Sequence, residues 1–321
     1  MKNLFVLCLL LLLILSACGK NDESKLSIAI LTPVTHPSLE QIEKGFMQTM
    51  ESNNPGQYRF VTYNAQGNKT LMRSEIEEIA RQNYDLVFTI GTSSSQMASE
   101  VFAKKEITTP IVFTCVNDPV GFQIVSSEQA PGRSITGVKE MLHFQEELSA
   151  LLKFKPTIKK ILLVYNPAEP GLQKDKEEIE QILKQNQIEL MVVETFQTNE
   201  MMAKTSPFIN QVDALIVIKD NTVVSGLDIL IKLCNQYKIP LMASDLDSPD
   251  RGAAFGYGVY ERDFGIEAAK KAQRIIQEGI DPAQIPVTPV SNFVLRINRD
   301  AALKQGVNPA LLPVSETESK S

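Results

Sequence analysis

The chain has 321 residues and a formal net charge of −6, with 43% hydrophobic and 22% charged residues. This length suffices for two ordinary domains, and the composition is that of a soluble globular protein rather than a disordered or collagen-like one. An acidic chain without a basic cluster is poorly suited to bind nucleic acid, because phosphate contacts need Lys and Arg.

The N-terminus has the pattern of a bacterial export signal. Residues 4–17 form an uncharged apolar run, which is too short for a membrane-spanning helix of about twenty residues. The run ends in Leu15-Ser16-Ala17-Cys18, which resembles a lipobox. We therefore expect a signal peptide over 1–17, a lipid on Cys18, a tether over 18–25, and a body held outside the cytoplasm by that lipid. A plain secretory signal with a chance Cys is the alternative.

Alternating strands and helices occupy the first half of the remaining chain. The predicted strands are 26–31, 58–63, 85–90, 110–116 and 135–138, and the predicted helices are 38–53, 69–82 and 94–104. Strands that alternate with helices in this way favour a parallel sheet with helices on its faces.

The same pattern starts again in the second half. The predicted strands are 160–165, 188–195, 214–219, 240–244, 253–259 and 293–297, and the predicted helices are 172–186, 199–210, 223–237, 262–278 and 299–305. We expect a disordered tail over 309–321. The fold class is therefore α/β, with two doubly wound parallel-sheet lobes in tandem.

Small polar residues follow the predicted strands of the first lobe, at the edge where open α/β sheets bind ligands. Thr35 and His36 follow the first strand, and Asn117 and Asp118 follow the fourth. After the third strand, Gly91 is followed by four hydroxyl residues, among them Thr92, Ser93 and Ser94. A helix N-terminus with these hydroxyls favours a carboxylate, with simple helix capping as the alternative.

Acceptor side chains follow the strands of the second lobe. They are Asn166, Glu169, Asp220, Asn221, Thr222 and Asp245. Acceptors suit an ammonium group. Each acid alone is more often a helix or turn cap, but their coincidence at successive strand ends favours a ligand site.

Cys115 and Cys234 remain after Cys8 and Cys18 are assigned to the signal and the lipid. Both lie in apolar sequence, which is typical of buried free thiols. A disulfide between them stays open, because the spacing does not decide it.

Seven segments in order resemble one family, the ABC transporter substrate-binding proteins of the tryptophan/tyrosine type. The segments are 35–39, 91–92 with Gln96, 117–121, 135–138, 165–167 with Glu169, 220–225 and 238–241. The resemblance covers roughly residues 26–306. It implies a type I periplasmic-binding-protein fold with interlobe crossings near 139–145, 258–263 and 284–291. Lobe 1 would then comprise 26–140 plus 262–285, and lobe 2 would comprise 144–258 plus 290–308. Pro170-Gly171 and Ser93-Ser94-Ser95 depart from the family pattern near the expected pocket.

The resemblance implies that the chain captures an L-amino acid, with an aromatic one favoured, for an ABC permease and its ATPase. Thr92, Ser93 and Ser94 would hold the carboxylate. Asp220, with Asn117 or Asp118 and Glu169, would hold the ammonium, while Thr35, His36 and Asn166 would line the cleft. No cofactor or metal is expected, and we expect a monomer. A sensory lipoprotein that presents its bound state to a membrane receptor is the alternative.

An exported hydrolase is not favoured. The sequence has no Gly-x-Ser-x-Gly elbow and no His-Glu-x-x-His motif, and its only histidines are His36 and His143.

Overall fold

A computed structural model describes residues 25–141 and 143–313, together with the backbone of 318–320. The predicted signal peptide and Cys18 lie outside these residues. Within the described part of the chain, no helix combines the length and the apolar character needed to cross a membrane.

The first lobe is built on a six-stranded sheet in the order β11-β5-β4-β3-β1-β2, and every pairing is parallel. Its elements are β1 (Leu26–Thr32), α1 (Pro37–Asn53), β2 (Tyr58–Asn64), α2 (Lys69–Ile79), β3 (Leu86–Ile90), α3 (Thr92–Lys104), β4 (Ile111–Val116), β5 (Ile135–Lys139), and two late elements, α10 (Glu261–Glu278) and β11 (Thr288–Pro289). Strand β1 is buried on both faces, because Ile28 and Ile30 join one core cluster while Ala29 and Leu31 join the other. This is the usual state of a central parallel strand.

The second lobe is built on a seven-stranded sheet in the order β13-β12-β10-β9-β8-β6-β7. Its elements are α4 (Phe144–Phe154), β6 (Lys160–Tyr165), α5 (Leu172–Gln185), β7 (Glu189–Glu194), α6 (Met201–Thr205), β8 (Ala214–Val217), α7 (Asn221–Ser225), α8 (Leu227–Tyr237), β9 (Leu241–Ala243), α9 (Ser248–Arg251), β10 (Phe255–Gly258), β12 (Val294–Ile297), α11 (Arg299–Lys304) and β13 (Glu318–Lys320). Strands β6 to β10 pair in parallel, whereas β12 runs antiparallel to β10, and β13 runs antiparallel to β12. The predicted class of two parallel-sheet α/β lobes is confirmed.

The chain passes between the lobes three times, after β5, after β10 and after β11. The second crossing brings α10 back onto α1 of the first lobe. The two helices approach closely at Gly45 and Gly265, where a Cβ on Gly265 would lie 2.0 Å from the Ile42 carbonyl oxygen. Phe264 and Ala268 of α10 share a core cluster with Ile42. The late helix therefore completes the core of the first lobe.

Some elements differ from the sequence expectation. Helix α4 was not predicted, and the predicted helix 223–237 is divided at Gly226 into α7 and α8. The predicted helix 199–210 is likewise a short α-helix between two 3₁₀ turns. Within the predicted tail, Pro309–Leu311 forms a 3₁₀ turn and 318–320 forms β13.

Candidate functional site

The carboxyl ends of the parallel strands in both lobes face a cavity between the lobes, with about 740 Å³ of empty space including its opening. Its lining residues are His36, Ser38, Leu39, Gly91, Thr92, Ser93, Cys115, Asn117, Glu140, Glu169, Pro170, Leu172, Asp175, Lys219, Asp220, Asn221, Val224, Asp245 and Glu261. The position agrees with the general rule that open α/β sheets bind ligands beyond their strand ends.

The first lobe presents the start of α3 to the cavity. Gly91 has a φ of 86°, a conformation that favours glycine, and it precedes the helix without a side-chain cap. The buried Ser94 hydroxyl turns back to donate to the Ile90 carbonyl oxygen at 2.5 Å. Thr92 and Ser93 remain to line the cavity beside the first N–H groups of α3. This surface suits an anion, because free N–H groups and the helix dipole favour negative charge.

In the second lobe, the Glu169 carboxylate is hydrogen-bonded to the first two residues of α7, Asn221 and Thr222. Glu169 Oε1 accepts hydrogen bonds from the backbone N–H and the hydroxyl of Thr222, at 2.9 and 2.8 Å. Its Oε2 accepts from the backbone and side-chain amides of Asn221, at 3.2 and 3.0 Å. Four hydrogen bonds thus hold the loop after β6 against the loop after β8.

Asp220 is fully buried and caps α7. Its Oδ1 accepts from the Val223 backbone N–H at 2.9 Å, and its Oδ2 accepts from the Asn166 backbone N–H at 2.5 Å. Burial raises the pKa of Asp220 to about 8, and the neighbouring Glu169 carboxylate adds to the effect. Backbone donors therefore occupy both oxygens of the side chain that the sequence suggested as the ammonium ligand.

Several contacts join the two lobes across the cleft. His36 Nε2 lies 3.2 Å from Asn221 Oδ1, and the Asn117 side-chain amide donates to Asp175 Oδ1 at 3.2 Å. At the rim, Lys174 Nζ lies 3.0 Å from Asp118 Oδ2. The structure therefore represents a closed arrangement of the lobes.

Most of the predicted ligand residues line this cavity. They are His36, Thr92, Ser93, Asn117, Glu169, Asp220, Asn221 and Asp245. Asn166 and Thr222 line an adjoining part of the cleft instead. Three others lie outside both linings: exposed Thr35 bonds to Asn64, Ser94 is buried behind the helix start, and Asp118 pairs with Lys174.

Other lining residues were not predicted from the sequence. Glu140 follows β5, Lys219 follows β8 and Glu261 begins α10, so the first two are themselves strand-end residues. Applying the strand-end criterion to every strand would have found both. No local pattern marks Glu261 or Asp175, since helix packing brings each of them to the cavity.

Burial controls the ionisation of several cavity groups. It raises the pKa of Asp175 to about 7, with a further contribution from Glu140. It lowers the pKa of His36, against the opposing effect of its hydrogen bond to Asn221. His36 is therefore a neutral imidazole at neutral pH, and Lys219 is the one cation among the lining residues described.

Both cysteines in the described part of the chain are free, so the open disulfide question is settled. Cys234 is buried in the core of the second lobe. Cys115 lines the cavity at an irregularity of β4, where its φ is 55°.

Comparison with known proteins agrees with this architecture. The family model described as ABC transporter substrate binding protein matches residues 27–312. A tyrosine-binding protein of Clostridioides difficile is 29% identical over 302 residues, covering 89% of this chain and 86% of that protein.

Two solved structures share the fold. One is an ABC domain from Streptococcus pneumoniae in complex with L-Trp, with a TM-score of 0.81, 23% identity and coverage of 89% and 96% of the two chains. The other is the ligand-free, open structure of a Clostridium difficile substrate-binding protein with adhesive properties, with a TM-score of 0.66, 25% identity and coverage of 90% and 96%. The chain belongs to the ABC transporter substrate-binding proteins, a family of extracytoplasmic solute receptors rather than enzymes.

Proposed function

We propose that the protein is a lipid-anchored receptor that captures an aromatic L-α-amino acid and delivers it to an ABC permease and its ATPase. The observation that carries the proposal is the interlobe cavity, where the start of α3 on one side faces a carboxylate-rich lobe on the other. A zwitterionic α-amino acid needs both kinds of surface. The names of two relatives, one tyrosine-binding and one solved with L-Trp, favour an aromatic side chain.

Thr92 and Ser93, with the first N–H groups of α3, are the proposed contacts of the ligand carboxylate. The apolar part of the lining is aliphatic and includes Leu39, Leu172 and Val224. These side chains offer a surface on which the ligand ring can pack. Closure of the lobes buries the ligand and creates the form that docks on the permease.

The proposed anchor is a lipid on Cys18, preceded by the signal peptide over 1–17. In the full-length chain expressed in a bacterium supplied with a labelled fatty acid, the wild-type protein should carry the label and Cys18→Ser should not. Labelling of this variant would contradict lipid attachment at Cys18 and leave the binding proposal intact.

Calorimetric titration with L-tyrosine, L-tryptophan and L-phenylalanine tests the ligand class. Removing both hydroxyls in a Thr92→Ala, Ser93→Ala variant should weaken binding about 10- to 100-fold, since hydrogen bonds to a charged group contribute about 1.5–3 kcal/mol. Thr70→Ala removes an exposed hydroxyl from the first turn of α2 and is the matched control. Failure of the wild-type protein to bind any α-amino acid would overturn the proposal.

A further inference from the structure

Three charged side chains form a buried cluster in the wall of the cavity. Lys219 Nζ lies 2.6 Å from Glu140 Oε1 and 2.7 Å from Glu261 Oε1. It also lies 4.7 Å from the centroid of the Phe264 ring. The side chains of Glu140 and Glu261 are 9% and 4% exposed. The glutamates belong to the first lobe and its crossing segments, whereas Lys219 belongs to the second lobe.

The cluster combines two carboxyl groups with one ammonium group. Although burial acts to lower it, the pKa of Lys219 is held well above its ordinary value by Glu140 and Glu261, so the ammonium stays charged. Burial raises the pKa of Glu261 to about 8 even though Lys219 opposes the shift. One lysine is therefore not enough to keep both buried carboxyl groups ionised, and Glu261 retains its proton near neutral pH. Ionising both groups needs a second cation beside Lys219, because buried charge without a partner is costly.

Glu140 and Glu261 differ from the other acids of the cavity in the hydrogen-bond donors that surround their carboxyl groups. Asp220 accepts two backbone N–H groups, and Asp245 accepts from the backbone N–H groups of Asp247 and Ser248 and from the Ser248 hydroxyl. Glu169 accepts four hydrogen bonds from Asn221 and Thr222. In contrast, Lys219 is the partner of Glu140 and Glu261 within the described residues, and it contacts Oε1 of each. These ion pairs lack hydrogen-bond geometry, since Lys219 Nζ and both Oε1 atoms are buried without a hydrogen-bond partner among the described residues. The carboxyl groups can therefore still accept a hydrogen bond from a ligand.

A second feature of the same cavity points to a ligand. His36 is only 6% exposed and lines the cavity, and its Nε2 is engaged by Asn221. Its other ring nitrogen, Nδ1, is buried without a hydrogen-bond partner among the described residues. A buried polar atom of this kind is normally satisfied by a partner, and here the cavity offers room for one.

We propose that Glu140 and Glu261, positioned by Lys219, bind the ammonium group of the ligand. This inference rests on the proposed function, and it replaces Asp220 as the ammonium contact. Asp220 instead acts as a positioning residue that caps α7 and holds the loop at Asn166. Because the glutamates and Lys219 come from different lobes, the charge cluster is complete when the lobes are closed.

Ligand analogues with one charged group removed test the assignment. The probes are L-tryptophan, indole-3-propionate, which lacks the ammonium, and tryptamine, which lacks the carboxylate. In Glu140→Gln and Glu261→Gln, affinity for L-tryptophan and tryptamine should fall at least about tenfold, as expected for loss of a charged hydrogen bond. Affinity for indole-3-propionate should be unchanged or higher. Either variant alone suffices if the other fails to fold.

Asp220→Asn is the control for a structural effect. It should lower the unfolding temperature and leave the affinity ratio of L-tryptophan to indole-3-propionate at its wild-type value. If the two glutamine variants lose equal affinity for L-tryptophan and indole-3-propionate, the ratio of the two affinities stays unchanged. That result would overturn the ammonium assignment and indicate that the cluster only joins the lobes. Collapse of the ratio in Asp220→Asn would overturn it as well. Failure of the proposed function is a distinct result, since the wild-type protein would then bind no amino acid.

Discussion

Gly171 lies where the second lobe meets Asn117 of the first, and it provides a test of closure. Its φ is 91°, and a Cβ added to it would lie 2.9 Å from Asn117 Nδ2 and 3.1 Å from Asn117 Oδ1. Gly171→Ala therefore has two separable effects. One is backbone strain within the second lobe, and the other is a clash that exists only while the lobes are closed.

The two effects have different magnitudes and different readouts. An L-residue at positive φ costs about 1–2 kcal/mol, which lowers the free energy of unfolding. In the closed form the Asn117 side chain must also move, and it loses its 3.2 Å hydrogen bond to Asp175. That loss is about 1 kcal/mol, which corresponds to roughly fivefold weaker ligand binding.

Gly56→Ala is the matched control, because Gly56 has a φ of 75° and a Cβ there would meet nothing within 4 Å. Urea unfolding should show a comparable destabilisation for both variants. Titration with the ligand should show weaker binding only for Gly171→Ala. Wild-type affinity in Gly171→Ala would refute the view that Asn117 and Gly171 are in contact in the bound state.

Two further substitutions test the core and the buried charge. Gly265→Ala places a Cβ 2.0 Å from the Ile42 carbonyl oxygen and 2.6 Å from the Phe46 nitrogen. We therefore expect urea unfolding to show a loss of at least about 3 kcal/mol in the free energy of unfolding. A loss below about 1 kcal/mol would contradict the contact between α10 and α1. Burial raises the pKa of Glu147 to about 8, against the Ser244 hydrogen bond, so the folded state keeps a proton that the unfolded state releases above its ordinary pKa of 4.5. The stability contribution is therefore full below about pH 4.5 and falls as pH rises toward 8. Glu147→Gln should be more stable than wild type at pH 8, with the difference shrinking at pH 5; a pH-independent difference would contradict the assignment.

The repeating units were predictable because local patterns specify them. Apolar runs such as 26–31 and 160–165 are buried strands in the structure, and turn signals separate them from amphipathic helices. The missed helix α4 also has a helical pattern, with Phe144, Leu148 and Leu151 buried on one face. This spacing is that of an amphipathic helix, so α4 was also predictable from the sequence.

The cleft itself was predictable only in part. The strand-end rule located Thr92, Ser93 and Glu169, because parallel strands bring their carboxyl ends to one edge. It did not show that backbone N–H groups would occupy Asp220, since capping depends on local loop geometry. Nor could it reveal the pairing of Lys219 with Glu261, which depends on how the second crossing meets the second lobe.

Binding of an aromatic L-amino acid in the interlobe cavity can be measured directly. The chain contains no Trp, so indole fluorescence in a titration of the unfolded and refolded protein with L-tryptophan comes from the ligand alone. We expect a saturable blue shift and a rise in anisotropy, reversed by L-tyrosine or L-phenylalanine. An unchanged indole spectrum, together with no thermal stabilisation by any of the common amino acids, would contradict the account.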